Sequence, residues 1–134
     1  MILVIGEILF DIFPDYERIG GAPFNFAFHL KKLGFPVRMI SRVGDDRKGR
    51  EILTMAEKNG FDTADIQVDA RHPTGTVNVT LDDAGVPHFD IRRNVAYDYL
   101  DLSPQVLTGI ENQKMVYFGT LLQRTESACR QVAD

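Results

Sequence analysis

The sequence predicts an α/β fold in which a doubly wound, mostly parallel sheet carries a small antiparallel β lid. Residues 2–5 form a continuous aliphatic run, which is typical of a strand buried on both faces of a parallel sheet. Strand-like and helical segments then alternate as far as residue 68, as they do in doubly wound folds. Residues 76–91 differ, because polar and apolar side chains alternate on either side of a turn. That alternation predicts a half-exposed antiparallel hairpin.

The elements are predicted in chain order from apolar runs and from residues that begin or end helices. The predicted strands cover residues 2–5, 37–43, 66–68, 76–81, 86–91 and 115–118, and the predicted helices cover residues 22–33, 45–59, 103–108 and 124–134. A further apolar stretch at residues 8–13 is interrupted by Asp11 and broken at Pro14.

The first long helix is predicted to begin near Pro23, which suits a first turn because that position needs no backbone donor. Gly34 follows two lysines and favours a helix end there. The side chains between are apolar almost all round, so we expect deep burial. Asp45 and Asp46 are predicted to cap the second helix, which Asn59 and the next glycine end.

Two later elements are predicted from similar signals. Ser103 and Pro104 suit the cap and the first turn of a short helix. Residues 115–118 are predicted to form a buried strand that ends at Gly119. The last helix is expected to begin near Arg124.

The composition excludes several functional classes. The 134 residues are 44% hydrophobic and 25% charged, with a net charge of −4, which is typical of a globular domain with one core. Lys and Arg do not cluster, so neither nucleic acid nor an anionic membrane is an expected partner. No apolar segment reaches the roughly 18–20 residues of a membrane span, and the start lacks a signal-peptide pattern. Cys129 is the single cysteine and no metal-ligand spacing is present, so a reduced, cytoplasmic compartment is expected.

The run from Gly20 to Asn25 carries the chemistry. Gly20 and Gly21 let the backbone pass very close to a ligand, because neither residue has a Cβ. Asn25 lies one turn beyond Gly21, so its amide is expected to face whatever binds at the helix start. This arrangement suits a small polyhydroxylated molecule.

The pattern resembles the ribokinase-like (phosphofructokinase B-type) carbohydrate kinases, most closely the fructokinases, and the resemblance spans the whole chain. The matching residues are Gly6-Glu7, Asp11, Gly20 through Asn25, Gly34, Gly44-Asp45 and Gly49. In that family the first strand's aspartate and the Gly-Gly/Asn helix start hold the sugar. Carried over residue by residue, this implicates Asp11, Gly20, Gly21 and Asn25. A carboxylate can accept hydrogen bonds from two neighbouring hydroxyls, and an asparagine amide both donates and accepts them.

The resemblance also implies a lid, at about residues 8–19 and 74–92. A closed lid would exclude water from the reaction. Phe89 is a candidate apolar wall for the carbon face of the sugar. Gly119 lies at a strand end, where open α/β sheets bind ligands.

Two departures from the ribokinase pattern bear on the substrate. Ribokinases have a lysine directly after the paired glycines, where this chain has Ala22, and an asparagine where it has Leu9. The pattern is therefore more similar to fructokinases and aminoimidazole riboside kinases than to ribose-specific enzymes.

The family resemblance implies ATP as phosphate donor, Mg²⁺ with it, and a small sugar as substrate. Family members are much longer, and their second half carries a Gly-Ala-Gly-Asp motif whose aspartate is the general base. We expect that aspartate to lie beyond Asp134, so no catalytic, cofactor-binding or metal-binding residue is predicted here. Residues 1–134 are expected to be the N-terminal part of one kinase domain, to lack the ATP-binding half and to be inactive alone. Homo-oligomers through the lid strands or an exposed sheet edge are expected.

Other interpretations stay open. The chain could be an inactive module that binds sugar or dimerises, or part of a kinase for another substrate such as a riboside. A different nucleotide-binding α/β domain would need a glycine-rich turn directly after the first strand, and Gly6-Glu7-Ile8-Leu9 does not provide one.

Overall fold

The structure is a computed structural model that describes residues 1–133 and contains two four-stranded sheets. In chain order the strands are β1 (Ile2–Ile5), β2 (Leu9–Ile12), β3 (Glu17–Gly20), β4 (Val37–Gly44), β5 (Ile66–Asp69), β6 (Gly75–Leu81), β7 (Pro87–Ile91) and β8 (Met115–Phe118). The α-helices are α1 (Ala22–Lys32), α2 (Arg47–Lys58) and α3 (Glu126–Ala133), and short 3-10 helices occur at Thr63–Asp65, Ala96–Tyr99, Ile110–Asn112 and Leu121–Arg124. We call the sheet of order β5-β4-β1-β8 the core sheet and the sheet of order β3-β2-β6-β7 the outer sheet.

The core sheet is parallel throughout, with β1 between β4 and β8. Val4 is fully buried in a cluster with residues of α1 and α2. Leu3 is fully buried in a second cluster, with Leu100 and Leu122. A strand covered on both faces needs apolar side chains in both directions, which explains the unalternating run at residues 2–5. The predicted doubly wound α/β fold is confirmed.

The strand β8 is an exposed edge of the core sheet, so the prediction that it is buried is wrong. Met115 is 41% exposed and Phe118 is 48% exposed. Within residues 1–133, no strand pairs with its outer edge. Its apolar side chains therefore lack part of the cover that a central strand receives.

The outer sheet joins two segments that are distant in the sequence. β2 pairs with β3, and β6 with β7, in antiparallel fashion, while β2 and β6 pair in parallel. The predicted hairpin is confirmed, with Val77 opposite Ile91 and Val79 opposite Phe89. The strand β3 was not predicted as a separate element, because its four residues contain a single large apolar side chain.

The helix α1 is buried on one face rather than all round, so the expectation of deep burial is wrong. Pro23, Phe24 and Ala27 are its buried residues. Phe26 and Phe28 are only partly covered, and Leu33, just after the helix, is 74% exposed. Apolar side chains on all sides of a helix therefore do not by themselves determine which of its faces are buried.

The predicted helix at residues 103–108 is wrong, because this segment is a series of turns. The amides of Val106 and Leu107 both donate to the Ser103 carbonyl, at 2.9 and 3.0 Å. Gly109 has a φ of 80° and leads the chain into a 3-10 helix instead. A segment this short forms too few helical hydrogen bonds to offset the cost of nucleation. Farther along, α3 begins at Glu126, close to the predicted start.

None of the helices within residues 1–133 combines the length and the apolar character that a membrane crossing requires.

Candidate functional site

The candidate site lies where the ends of β1 and β8 meet the start of α1 and one face of the outer sheet. Ile5 pairs with Phe118, so the residues after these strands, Glu7 and Gly119, emerge close together. The amide of Gly119 donates to the Ile5 carbonyl at 3.0 Å. Ligands of open α/β sheets bind outside the carboxyl ends of the strands, which makes this edge the first place to examine.

Asp11 and Gly20 are brought together by the β2–β3 pairing. In that register Leu9 is opposite Gly20 and Asp11 is opposite Arg18. A Cβ added at Gly20 would lie 2.6 Å from Oδ2 of Asp11, closer than real Cβ contacts come. Gly20 therefore leaves room for the Asp11 carboxylate. Arg18 approaches the same Oδ2 at 3.6 Å from the solvent side.

Gly21 places the start of α1 against the chain that follows β1. Its φ of 111° and ψ of 127° suit glycine, and it precedes the helix without a side-chain cap. A Cβ at this position would lie 2.6 Å from the carbonyl oxygen of Glu7. No side chain caps the helix, but few free amides are left in its first turn. Pro23 has no N–H, the Asn25 amide donates to the Gly21 carbonyl, and the Ala22 amide lies beside the Glu7 carboxyl group, which leaves the amide of Phe24.

Asn25 stands in the first turn of α1, as predicted. Its backbone amide donates to the Gly21 carbonyl at 2.8 Å, which begins the helical hydrogen bonding. The residue is exposed, so its side-chain amide is accessible at the helix start. The structure thus brings Asp11, Gly20, Gly21 and Asn25 to one region, around the turn between β3 and α1.

Phe89 shares the sheet face of Asp11 but lies farther away. Asp11 is opposite Val77, and Phe89 is opposite Val79, two positions along β6. β6 lies between the two strands, and with two strand spacings the side chains of Asp11 and Phe89 are roughly 10 Å or more apart, with Val77 and Val79 between them. Phe89 is 64% exposed, which leaves its ring accessible.

Gly119 is packed against the start of α1. A Cβ there would lie 2.6 Å from Cγ of Pro23 and 2.8 Å from Oε2 of Glu7. Any larger residue would push α1 away from β8. Gly119 therefore lies next to Glu7 and Pro23, at the base of the candidate site.

Glu7 is the residue whose role the sequence left open. It is 4% exposed, and burial raises the pKa of its carboxyl group above 4.5, although the amides of Glu7 and Ala22 and the charge of Arg124 act in the opposite direction. Its Oε2 atom is buried and has no hydrogen-bond partner within residues 1–133. The Gly6-Glu7 pair in the family pattern is a signal that could have marked it.

A second polar group beside the site joins the end of the outer sheet to the segment after β8. Arg124 donates to both carboxylate oxygens of Asp98 at 2.7 Å, and to the carbonyl of Arg92 at 2.6 Å. Its guanidinium lies 5.1 Å from the centre of the Tyr97 ring. Sequence reasoning missed this group, because its members are separated along the chain and no spacing rule links them.

The start of α2 is closed, in contrast to that of α1. Asp46 accepts hydrogen bonds from the amides of Gly49 and Thr74, both at 2.8 Å, and from the Thr74 hydroxyl at 2.7 Å. Burial opposes ionisation of Asp46, but the Thr74 and Gly49 bonds outweigh it and lower the pKa of the carboxyl group. The predicted capping role of Asp46 is confirmed. The predicted capping role of Asp45 is wrong, because its exposed carboxylate lies 3.4 Å from Arg50 and accepts no amide of the described helix start.

The residues of the site do not form a metal centre. Within residues 1–133, no group of three or more His, Cys, Asp or Glu side chains lies close enough together to hold an ion. A cavity of 560 Å³ lies elsewhere, between α2 and β3, and is lined among others by Ile19, Arg47 and Met55. We place the site by the convergence of polar groups rather than by that cavity, because its lining includes none of the residues at the start of α1.

Comparison with known families gives a match over nearly the whole chain. The sequence profile of the pfkB family carbohydrate kinase matches residues 2–134. Among curated proteins, Fructokinase-2 of Oryza sativa subsp. japonica is 29% identical over 143 aligned positions, covering 97% of this chain and 42% of that protein.

Solved structures agree with this match. An uncharacterized sugar kinase from Pyrococcus horikoshii superposes with a TM-score of 0.86 at 30% identity, covering 98% of this chain and 49% of that chain. A second structure of that kinase, in complex with ATP, gives a TM-score of 0.85. A fructokinase from Halothermothrix orenii shares the fold with a TM-score of 0.82, at 24% identity. The chain thus spans less than half the length of the curated relatives it matches, 43% in the case of the Pyrococcus kinase.

Proposed function

The chain belongs to the pfkB family of carbohydrate kinases, and we propose that it provides the sugar-binding side of a kinase that phosphorylates a fructose-like sugar. One observation carries the proposal: the Asp11 carboxylate lies against Gly20, beside the uncapped start of α1. Hydrogen-bond acceptors and donors therefore face one region. A sugar hydroxyl both donates and accepts, so this combination suits a polyhydroxylated ligand better than a purely anionic or apolar one.

Each residue of the site has a distinct role in this proposal. Asp11 accepts hydrogen bonds from two adjacent hydroxyls and fixes the orientation of the sugar. Gly20 leaves room for the Asp11 carboxylate, and Gly21 lets the start of α1 pack against the Glu7 carbonyl. Asn25, exposed in the first turn of α1, adds one group that can donate or accept.

We propose that the outer sheet acts as the lid of this site. Val77 and Val79 are buried on the face that also carries Asp11, and Phe89 extends that face outward. An apolar surface beside the Asp11 carboxylate on the same sheet face would contact the carbon face of the sugar. It would also keep water away from the transferred phosphate, which a kinase must do to avoid hydrolysing its donor.

ATP and Mg²⁺ are inferred from the family, and residues 1–133 do not fit either one. They contain no metal-binding cluster, and no glycine-rich phosphate-binding loop leads into a helix. The carboxylate of Asp46 at the α2 start would repel a phosphate. We therefore propose that the general base and the ATP site lie outside the region described, and that this chain binds and orients the sugar without turning it over.

A second copy of the chain is the proposed protein partner. The hairpin of β6 and β7 exposes a run of apolar side chains, among them Leu81 at 66%, Val86 at 51% and Phe89 at 64%. Grouped exposed apolar residues beside an open strand edge favour association. Sedimentation at tens of micromolar should show a species larger than a monomer, and a clean monomer would contradict this part of the proposal.

Calorimetric titration of the 134-residue chain with fructose tests the main proposal. We expect measurable binding, and about tenfold weaker binding for Asp11→Asn, because one acceptor for a hydroxyl is lost. The matched control is Asp15→Asn, an exposed carboxylate on the β2–β3 turn. A control variant as weak as Asp11→Asn, or wild-type chain that binds no sugar, would overturn the proposal.

The same titration distinguishes the second candidate, a riboside kinase, which Ala22 after the paired glycines also permits. Tighter binding of an aminoimidazole riboside than of fructose would favour that substrate. Mixing the chain with fructose, ATP and Mg²⁺ should give no phosphorylated product, and turnover would show that the chain is a complete catalyst.

A further inference from the structure

Glu7 occupies a junction through which the chain passes from the core sheet to the outer sheet. It follows β1 and precedes β2, and it is 4% exposed despite its charge. Carboxylates are almost never fully buried unless they are paired. Glu7 has no ion pair within residues 1–133, so its burial calls for an explanation from its contacts.

Those contacts reach both sides of the candidate site. On the α1 side, Glu7 fills the space beside Gly21. A Cβ added to Gly21 would lie 2.6 Å from the carbonyl oxygen of Glu7 and 3.5 Å from its Cγ. On the β8 side, Oε2 of Glu7 lies 2.8 Å from the equivalent position at Gly119. The carboxylate also lies close enough to the Ala22 amide for that group to lower its pKa. Glu7 therefore separates the sugar-binding turn from the end of β8.

Tyr97 supplies the complementary group. Its side chain is fully buried, and its hydroxyl has no hydrogen-bond partner within residues 1–133. The ring is fixed by β6, since a Cβ at Gly75 would lie 2.3 Å from Cε1 of Tyr97. Burial raises the pKa of this hydroxyl to about 12, with the nearby charges of Arg124, Asp98 and Glu7 as smaller influences. A neutral hydroxyl donor and a free carboxylate oxygen thus lie buried in the same neighbourhood.

We propose that Glu7 is a positioning residue of the sugar site, and that one buried water links its Oε2 atom to the Tyr97 hydroxyl, since neither atom has a partner within residues 1–133. Glu7 holds the Gly20–Gly21 turn and the start of α1 at a fixed distance from Gly119. Glu7 does not touch the sugar, because its carboxylate is covered. It acts through the backbone of Gly21 and the amide of Ala22, which its own carbonyl and carboxyl group approach.

The competing explanation is that Glu7 only contributes to stability. Asp69 gives the matched comparison, because it is also a buried carboxylate, 3% exposed, at the end of a core-sheet strand. It accepts hydrogen bonds from Arg42, Arg71 and His72, and none of these bonds involves α1. Asp69→Asn should therefore lower stability without moving the sugar-binding turn.

The test compares Glu7→Gln, Tyr97→Phe and Asp69→Asn in the 134-residue chain, and it rests on the proposed function. Titration with fructose should show about tenfold weaker binding for Glu7→Gln, because an amide donor replaces an oxygen that faces other donors. Tyr97→Phe, which keeps the ring, should weaken binding about threefold. Asp69→Asn should stay within about twofold of wild type while its melting temperature falls.

Amide NMR signals supply a readout that needs no sugar. In Glu7→Gln and Tyr97→Phe, the signals of Ala22 and Gly119 should shift and exchange with solvent faster than in wild type. In Asp69→Asn those two signals should not change. Because Tyr97→Phe removes a single oxygen, it keeps the test possible if Glu7→Gln does not fold.

The outcomes separate the two proposals. If wild type binds no sugar, the proposed function fails, and the NMR comparison still decides the role of Glu7. If wild type binds fructose and the Glu7 and Tyr97 variants bind it equally well, with unchanged Ala22 and Gly119 signals, the positioning role is overturned. Equal losses of affinity in all three variants would likewise assign Glu7 to stability alone.

Discussion

The helices α1 and α2 both begin near the carboxyl ends of core-sheet strands, but they treat their free amides differently. α2 begins after Asp46, whose carboxylate accepts three hydrogen bonds from Gly49 and Thr74. α1 begins after Gly21, which offers no side-chain cap. The start of α2 is thus closed by a side chain within the described residues, whereas the start of α1 has no side-chain cap.

The difference indicates how structural and functional helix starts can be separated. A capped start stabilises the fold by satisfying amides that would otherwise lack partners. An uncapped start beside the Asp11 carboxylate leaves the first turn of α1 accessible to a ligand. Substitutions at the α2 start should therefore change stability alone, and substitutions at the α1 start should change ligand binding.

Gly21→Ala should have the largest effect. A side chain there meets the Glu7 carbonyl at 2.6 Å and must adopt a φ of 111°, so we expect a loss of about 3 kcal/mol in stability and no detectable sugar binding. Thermal unfolding and fructose titration measure the two effects. The control is Gly34→Ala, which has a φ of 84° but no atom within 4 Å of an added Cβ. If Gly34→Ala lost sugar binding as well, the special role of the α1 start would be disproved.

Asp46→Ala should lower the free energy of unfolding by about 3 kcal/mol, through the lost cap and the unpaired Thr74 groups. The affinity for fructose should not change once the protein is folded. Denaturant titration and calorimetry at a temperature where the variant is folded check both points. Weaker fructose binding by the folded variant would mean that the two helix starts are coupled.

Acid should remove a smaller contribution, centred on Asp69. Burial opposes its ionisation, but hydrogen bonds from Arg71 and His72 and the charge of Arg42 outweigh this and lower the pKa of Asp69 from 3.8 to about 2. Its stabilising effect is present above pH 3.8 and is lost as the pH falls towards 2, and it amounts to at most about 2 kcal/mol. Unfolding free energies at several pH values should show a shallower acid slope for Asp69→Asn than for wild type.

Glu7 should contribute to the pH dependence with the opposite sign. Because burial raises its pKa above 4.5, its contribution is complete below that pH and is lost as the pH rises through the raised pKa. The difference in stability between wild type and Glu7→Gln should therefore change as the pH increases. A difference that stayed constant across this range would show that Glu7 does not titrate in the folded state.

Glu17→Gln should have the smallest effect. Glu17 on β3 pairs with Arg47 and Lys48 at the start of α2 and so links the outer sheet to the capped helix. Exposed ion pairs contribute little and are screened by salt, so we expect a fall in melting temperature of roughly 1–2 °C that vanishes at high salt. A large fall that persists in salt would show that the outer sheet depends on this link.

Much of the fold could be predicted from local sequence signals. The aliphatic run of β1, the alternation in β6 and the Asp46 cap each reflect a rule that acts within a few residues. The Gly20–Gly21 pair also leaves a local pattern, whereas Asp11 is identified as a site residue through the family resemblance.

The errors arose where distant residues decide the structure. The burial of β8 and α1 depends on what covers them, and the local pattern cannot report that. Residues 103–108 carry helix-start residues, but Gly109 turns the chain and few hydrogen bonds support a helix. The Glu7, Tyr97 and Arg124 neighbourhood brings together three positions that no spacing rule connects. β1 lies near the start of the chain and β8 near its end, and the pairing of these two strands brings Glu7 close to the segment that carries Arg124.

The parallel pairing of β2 with β6 also sets an order of events during synthesis. Leu9 and Gly75 are partners, so the whole segment between them must leave the ribosome before β2 has a neighbour on that side. Until then the first hairpin has only β3 beside it, and a two-stranded hairpin is marginal in water. The core-sheet strands β4 and β5 emerge earlier than β6 and can pair while translation continues. The outer sheet is thus completed on a framework that is already assembling, and the surroundings of the sugar-binding turn are complete only once Gly119 has also emerged.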